Sequence, residues 1–315
     1  MFRAPIAAAL VACTVPAQAL ERFDFSAPLM ATTFRISLHA ESKREAETAV
    51  DAAFKRIASL NAVFSDYEPN SELMRLCNAG PDVPFQASPP LLAVISRALE
   101  LSRVTEGAFD ITCGNLSQLW RRTKRVKKLP PPDRLQKALE ATDWRAVKMD
   151  AKAGTITLTK AGILLDLGGI AKGYAADEGL RMLREHGIGG ALVIAGGDIA
   201  IGDPPPGEDG WEINLRTFKK AAANGEEVMQ TVRLKNCGVS TSGDLYQFIE
   251  LDGMRYSHIV SPRTGLGLTE RIACSVIAPD ATTSDALATA MCILGRERGG
   301  VIAAKMPGVT LRWPD

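Results

Sequence analysis

The run Leu164-Leu165-Asp166-Leu167-Gly168-Gly169-Ile170-Ala171-Lys172-Gly173-Tyr174-Ala175-Ala176-Asp177 constrains this chain most, because a short apolar segment breaks there at a glycine pair and resumes as a helix. It predicts a strand, a tight turn and a helix in succession. The glycines remove side chains where the backbone bends. A phosphate can then approach peptide N–H groups at the helix start, where the dipole also favours anions. Asp166 and Lys172 flank the turn with opposite charge. An ordinary strand-to-helix connection with an exposed lysine accounts for the same residues equally well, since glycine-rich turns are weakly specific.

With 46% hydrophobic and 23% charged residues in 315, the chain has material for one large folded domain or two interleaved ones. Its start is set apart. Met1 to Ala19 carries one charge at Arg3, an apolar run over Ala7 to Ala12 and the small-residue ending Ala17-Gln18-Ala19, the pattern of a secretory signal peptide cleaved after Ala19. Leu10-Val11-Ala12-Cys13 also fits a lipoprotein cleavage box, but the apolar segment before Cys13 is short, which favours simple cleavage. The same run falls well below the roughly 20 residues of a membrane span. The expected organisation is a leader over residues 1–19 and one domain over 20–315, secreted across the inner membrane. Without Arg3, the basic and acidic residues balance at 36 each, and no long one-sided block suggests nucleic acid as a partner. Cys77, Cys113, Cys237, Cys274 and Cys292 form no Cys-x-x-Cys pair, so neither a disulfide framework nor a zinc site is expected.

From Met30 to His39 the residues alternate as in a half-buried strand, with His39 just exposed at its end. A helix follows from about Ser42 to Leu60, where Ala46, Ala49, Val50, Ala53, Phe54, Ile57 and Leu60 form one apolar stripe. Phe64 to Leu73 is a polar turn in which Ser71 can cap the next helix. Tyr67 within it either covers the core edge or stacks on a flat ligand, and the first is the default. Ser88-Pro89-Pro90 opens a helix that Gly107 ends. Gly107 to Thr112 is a compact turn with the backbone of Ala108 and Phe109 expected to be accessible. The basic run Arg121 to Lys128 before Pro130-Pro131-Pro132 is expected to be a solvated loop, an acidic partner being the other reading.

Asp133 to Ala141 predicts a short helix, and Val147 to Met149, Thr155 to Leu158, Ala191 to Ala195 and Trp211 to Leu215 predict strands. His186 falls at the end of the helix after the glycine pair, a favourable place for its ring. Pro204 to Pro206 and residues 221–227 are expected loops. Val239 to Asp244 supplies hydroxyls at an expected turn, suited to phosphate or ribose oxygens and equally to turn chemistry. Asp252 to Gly265 predicts a hairpin turn, a strand and a proline turn carrying His258, one of three histidines. Thr283 to Ala290 predicts a capped helix start with Asp285 and Thr289 on one face. A carboxylate and a hydroxyl, joined by a backbone carbonyl, suit Mg²⁺ that keeps water and phosphate in its shell, although helix capping by Asp285 accounts for it as well.

Together these segments resemble one family, the ApbE-like FAD:protein FMN transferases, periplasmic enzymes that attach FMN to a threonine or serine of another protein. The resemblance rests on Met30-Ala31-Thr32, Tyr67 to Glu72, Gly107 to Asp110, Asp166 to Asp177, Gly196-Gly197-Asp198, Ser240 to Asp244, His258 to Gly265 and Asp285 to Thr289. It implies an α+β fold of mixed sheets with packed helices, related to T-folds. It also implies Mg²⁺-dependent transfer of FMN from FAD to an acceptor flavoprotein of a membrane electron-transfer complex, with AMP leaving. Met30, Tyr67, Ala108, Phe109, Asp110, Asp166, Lys172 and Ile259 would line the FAD site. Gly169, through its carbonyl, Asp285, Thr289 and more weakly Ala288 would surround Mg²⁺. His258 and Lys172 would be catalytic, His258 as base or positioning group and Lys172 beside the phosphoryl oxygens. The chain departs from the family at Ala31, where glycine is usual, and at Ser261, where aspartate is usual. Two alternatives share these residues: an Mg²⁺-dependent FAD diphosphatase, and a binding protein without chemistry.

Overall fold

The computed structural model describes residues 19–220, 227–244 and 247–314. Apart from Ala19, the expected leader lies outside them, as do residues 221–226 of the expected loop.

β1 (Glu21–Leu29) and β2 (Thr32–Ala40) form an antiparallel hairpin. Met30 and Ala31, expected to begin a strand, are instead its turn, with φ of 48° and 57°, both left-handed as in the type I′ connection, whose twist matches that of the strands. His39 is half-buried rather than exposed, its ring 5.5 Å from that of Trp211. α1 (Lys43–Phe64) begins at Ser42, whose Oγ accepts the Glu45 N–H, and buries the expected stripe except for the half-buried Phe54, continuing to Phe64. α2 (Glu72–Asn78) is capped by Ser71, which accepts the Met74 N–H at 3.1 Å. β3 (Phe85–Gln86), α3 (Pro89–Val104), α4 (Gly114–Val126), α5 (Pro132–Glu140), β4 (Val147–Asp150) and β5 (Thr155–Leu158) follow, the strands forming a small sheet in the order β3-β5-β4.

α4 overturns the expectation of a basic loop. Leu116, Trp120 and Thr123, spaced i, i+4, i+7, bury one face, and the cations occupy the remainder until Lys127 ends the helix at φ 54°. The strand expected before the glycine pair shrinks to one bridge, Leu164 with Cys113. Its neighbour is the loop entering α4, which contributes only Gly114 N–H to Leu164 O and takes Asp166 N–H at Ile111 O, so no ladder extends. α6 (Ala171–Glu185) ends as expected at His186, whose Nδ1 lies 2.9 Å from the Met182 carbonyl.

β6 (Ala191–Ala195), β7 (Asp198–Ile201), β8 (Trp211–Lys220), β9 (Glu227–Leu234), β10 (Cys237–Gly243), β11 (Phe248–Leu251), β12 (Met254–Ser257), β13 (Ala273–Ala278), α7 (Ala281–Ala303, kinked at Gly295) and β14 (Thr310–Arg312) complete the described chain. Among the described residues the main sheet has seven strands in the order β1-β2-β6-β7-β10-β13-β14, antiparallel throughout. Alternation assigns its faces. Phe34, Ile36, Leu38 and Val193 point to the helices, while Leu192, Ile201 and Val239 meet Trp211, Ile213 and Leu215 of the β8–β9 ribbon. The hydroxyl turn expected at 239–244 is largely strand β10. Its polar side chains are accommodated because Ser240 meets Ser284 at 2.8 Å and Thr241 meets Ser275 at 2.7 Å. Asp252 and Gly253, at φ 50° and 75°, make the expected hairpin turn between β11 and β12. The α+β class is as expected.

Candidate active site

α6 and α7 touch backbone to backbone at Gly173, where an added Cβ would lie 2.2 Å from the Ala281 carbonyl oxygen. No side chain fits there. This approach aims Asp285 of α7 at α6: the Gly173 N–H donates to Asp285 Oδ2 at 3.0 Å, and the Lys172 ammonium lies 3.7 Å from the same oxygen. Lys172 also donates to Asp198, which follows the β6–β7 turn. Asp198 and Asp285 are only 4% and 3% exposed. Burial works against the Lys172 charge, but Asp285 and Asp198 outweigh it and hold the ammonium above its usual range. Burial, then the Asp198 charge, raises the Asp285 carboxyl, with Lys172 and the Gly173 N–H pulling the other way.

One turn along α6, Asp177 fastens the start of α7, accepting the Ala281 and Thr282 N–H groups at 2.9 and 2.8 Å and the Thr282 hydroxyl at 2.5 Å. Burial raises its pKa to about 6. On the next turn of α7 beyond Asp285, Thr289 Oγ1 lies 3.3 Å from Ser242 Oγ. A Cβ on Gly169 would stand 3.6 Å from that Thr289 oxygen and 3.4 Å from the Phe109 ring. The structure therefore brings Gly169, Phe109, Lys172, Asp285 and Thr289 together around one turn; Ala288 is fully buried within the helix. Among the described residues no group of three or more His, Cys, Asp or Glu could hold a metal. One carboxylate, one hydroxyl and a backbone carbonyl instead fit a hard cation that takes most of its shell from water and phosphate.

Asp166 closes the same turn from the other side, its Oδ1 accepting the Gly168 N–H at 2.8 Å and its Oδ2 lying 3.5 Å from Arg121. Arg121 also pairs with Asp66 at 2.5 Å and sits over the Tyr67 ring at 4.3 Å. Tyr67 is 71% exposed, so it does not cover the core edge. Burial, then Asp166, raises the Asp66 carboxyl against the pull of Arg121. Sequence reasoning missed Asp66 and treated Arg121 as one more solvated cation.

The expected open backbone at Ala108 and Phe109 is a correction. Both residues are buried, and their N–H groups donate to the Thr105 carbonyl and hydroxyl at 3.0 and 3.1 Å. Asp110 braces this loop, accepting from the Thr112 N–H and hydroxyl and from the Trp144 N–H; burial raises its carboxyl. Met30 lies at the β1–β2 turn, beside which Thr32 approaches the Gly196 turn.

His258 follows β12, with Nδ1 3.1 Å from the Gln247 carbonyl. A carbonyl can only accept, so Nδ1 carries the hydrogen and Nε2 keeps its lone pair. Burial pushes its pKa below the usual value, Lys124 and Lys172 acting in the same direction. Ile259 is buried beside it, and Ser261 Oγ accepts the Arg263 N–H at 3.3 Å, closing the Pro262 turn.

The model of the ApbE family matches residues 30–313. A Treponema pallidum protein named FAD:protein FMN transferase is 33% identical over 279 residues, covering 84% of this chain and 76% of the relative. A Haemophilus influenzae protein of the same name is 30% identical over 314 residues, covering 95% and 88%. The solved flavin transferase ApbE from Vibrio cholerae superposes with a TM-score of 0.81 at 28% identity, covering 93% of each chain.

Proposed function

The chain belongs to the ApbE family, and from that membership we propose that it transfers FMN from FAD to an acceptor protein at the junction of α6 and α7. The observation that carries the placement is the Gly173 contact, which sets Lys172, Asp285 and Thr289 around the Gly169 turn. An ammonium that Asp285 and Asp198 hold above its usual range gives a pyrophosphate a cationic partner there. Mg²⁺ would be held by Asp285, Thr289, the Gly169 carbonyl and, more weakly, Ala288; when bound it further neutralises the phosphoryl oxygens.

FAD would lie across Met30, Tyr67, Ala108, Phe109, Asp110, Asp166, Lys172 and Ile259. Arg121 covers one face of Tyr67, and the ring's exposure leaves surface for stacking a flavin. Asp110 acts through the loop it braces. A threonine or serine hydroxyl of the acceptor attacks the phosphorus on the FMN side. Its proton passes to Nε2 of His258, the bond to the AMP phosphate breaks, and AMP leaves. The reading also places the protein in the periplasm after cleavage at Ala19, without a lipid at Cys13, acting on a flavoprotein of a membrane electron-transfer complex.

The test is incubation with FAD, Mg²⁺ and an acceptor bearing an Asp-x-x-Thr-Gly-Ala-Thr site, followed by in-gel flavin fluorescence and AMP measurement. Fluorescent acceptor with matching AMP is expected. FMN and AMP with an unlabelled acceptor would make the protein a diphosphatase instead.

A further inference from the structure

On the flank of α4 away from Arg121 lies a cleft of about 600 Å³, walled by α4, α5 and the turn after β5. Helical geometry, roughly 100° per residue, separates the two flanks. Arg121 and Lys124 fall on one, Leu119 and Arg122 on the other, with Arg125 exposed between them. Leu119 and Ala138 give the cleft apolar surface, and Arg122, Arg134, Lys137 and Lys160 line it against one acid, Glu140. None of these four cations forms an ion pair among the described residues; Lys160 donates only to the Glu140 backbone carbonyl. From Arg121 to Lys137 the chain holds eight basic residues and one acid, within a protein of net charge +1. The excess is local, and a concave surface concentrates its field.

We propose that this cleft docks an acidic segment of the acceptor protein, holding it on α4 while the acceptor hydroxyl enters beside His258. The proposal rests on the transferase reading above. Charge complementarity selects the occupant. The cations come from three separate elements and are interspersed with apolar surface, which matches a peptide carrying several carboxylates. A single phosphate would call for convergent donors, and a lipid surface would call for a flat face rather than a cleft. α4 links the cleft to the reaction: its other flank carries Lys124, which is near enough to His258 to lower its pKa.

The variant R134E/K137E tests this, since both side chains are exposed and neither has a bonded partner among the described residues. Fluorescein-labelled hexaglutamate should bind the parent, more weakly as salt rises, and bind the variant at least about tenfold more weakly. In transfer assays with an acceptor protein carrying an acidic flank, the variant should raise KM about tenfold, with kcat and FAD affinity unchanged. R134Q/K137Q, which cannot repel the peptide, should fall between. Equal hexaglutamate binding by parent and variant, an unchanged KM, or retention of the parent by phosphatidylglycerol vesicles but not by hexaglutamate would overturn the proposal. A parent that binds hexaglutamate yet labels no acceptor overturns the transferase reading instead, so the two failures are distinguishable.

Discussion

Around Lys172 the charged groups sit on two helices whose backbones touch and on a sheet hairpin, and both carboxylates are nearly sealed from water. Around Tyr67 they sit on the connection between α1 and α2 and on the outer face of α4, beside a ring that is 71% exposed. In the first region low dielectric strengthens each interaction, and helix packing fixes its geometry. In the second, Asp66 and Arg121 are only part-buried, so salt reaches their pair more readily than the Lys172 pairs, and the exposed ring adds contact area rather than field. The buried region is therefore expected to set turnover, and the exposed one affinity.

The largest break between them is Asp285→Ala. It removes the one carboxylate of the expected metal set and leaves Lys172 to Asp198 alone, so kcat should fall by about 10³ while FAD still binds. Full activity at ordinary Mg²⁺ would sink the metal assignment. Next is His258→Gln, expected to slow transfer by about 10², within the range of general-base contributions. Because burial places the imidazole pKa below its usual value, the neutral, proton-accepting form already dominates at pH 7. The parent rate should therefore be flat from neutral upward and fall only in acid, as Nε2 becomes protonated; the variant should lose that acid limb. The same shift means the unfolded chain binds this proton more readily, so acidification through the ordinary histidine range also lowers stability. A parent acid limb centred above pH 7 would mean that the Nδ1 bond to Gln247, which raises the pKa, outweighs burial.

Tyr67→Ala sharpens the comparison from the exposed side. A stacked ring is worth ~0.5–1.5 kcal/mol, so the FAD dissociation constant should rise about twofold to thirteenfold, with kcat at saturating FAD unchanged. Titration of flavin fluorescence checks it, and an unchanged constant would return Tyr67 to an ordinary surface residue.

How much of this was legible depends on whether a feature is written locally. The stripe of α1 carries its own period, the apolar run Ala191 to Ala195 marks β6 without one, and Asp285 and Thr289 share a face through helical spacing alone. α4 carried a readable i, i+4, i+7 signal in Leu116, Trp120 and Thr123, which the surrounding cations and the following prolines obscured. β1 alternates along its whole length but follows directly on the leader boundary. The pairs Lys172 with Asp198 and Arg121 with Asp66 and Asp166 are tertiary contacts with no local period to announce them. The turn at Gly107 to Thr112 looked open because its composition shows flexibility, whereas its N–H groups are already taken by Thr105.

The smallest expected effect is at Ser261, where the family resemblance leads one to expect aspartate. A carboxylate there has two possible uses: supporting the His258 proton transfer, or closing the Pro262 turn. Ser261 Oγ already accepts the Arg263 N–H at 3.3 Å, its N–H reaches the Leu266 carbonyl and its own carbonyl takes the Gly265 N–H. The turn is thus closed three ways without a carboxylate. His258 Nδ1 is meanwhile oriented by the Gln247 carbonyl rather than by residue 261. An aspartate at 261 can accept the same Arg263 N–H, as Asx turns do. Ser261→Asp should accordingly leave the transfer rate within about threefold of the parent and FAD affinity unchanged. A tenfold faster rate, about 1.4 kcal/mol of barrier, would show that the carboxylate acts on His258 and that this chain works with a weakened base.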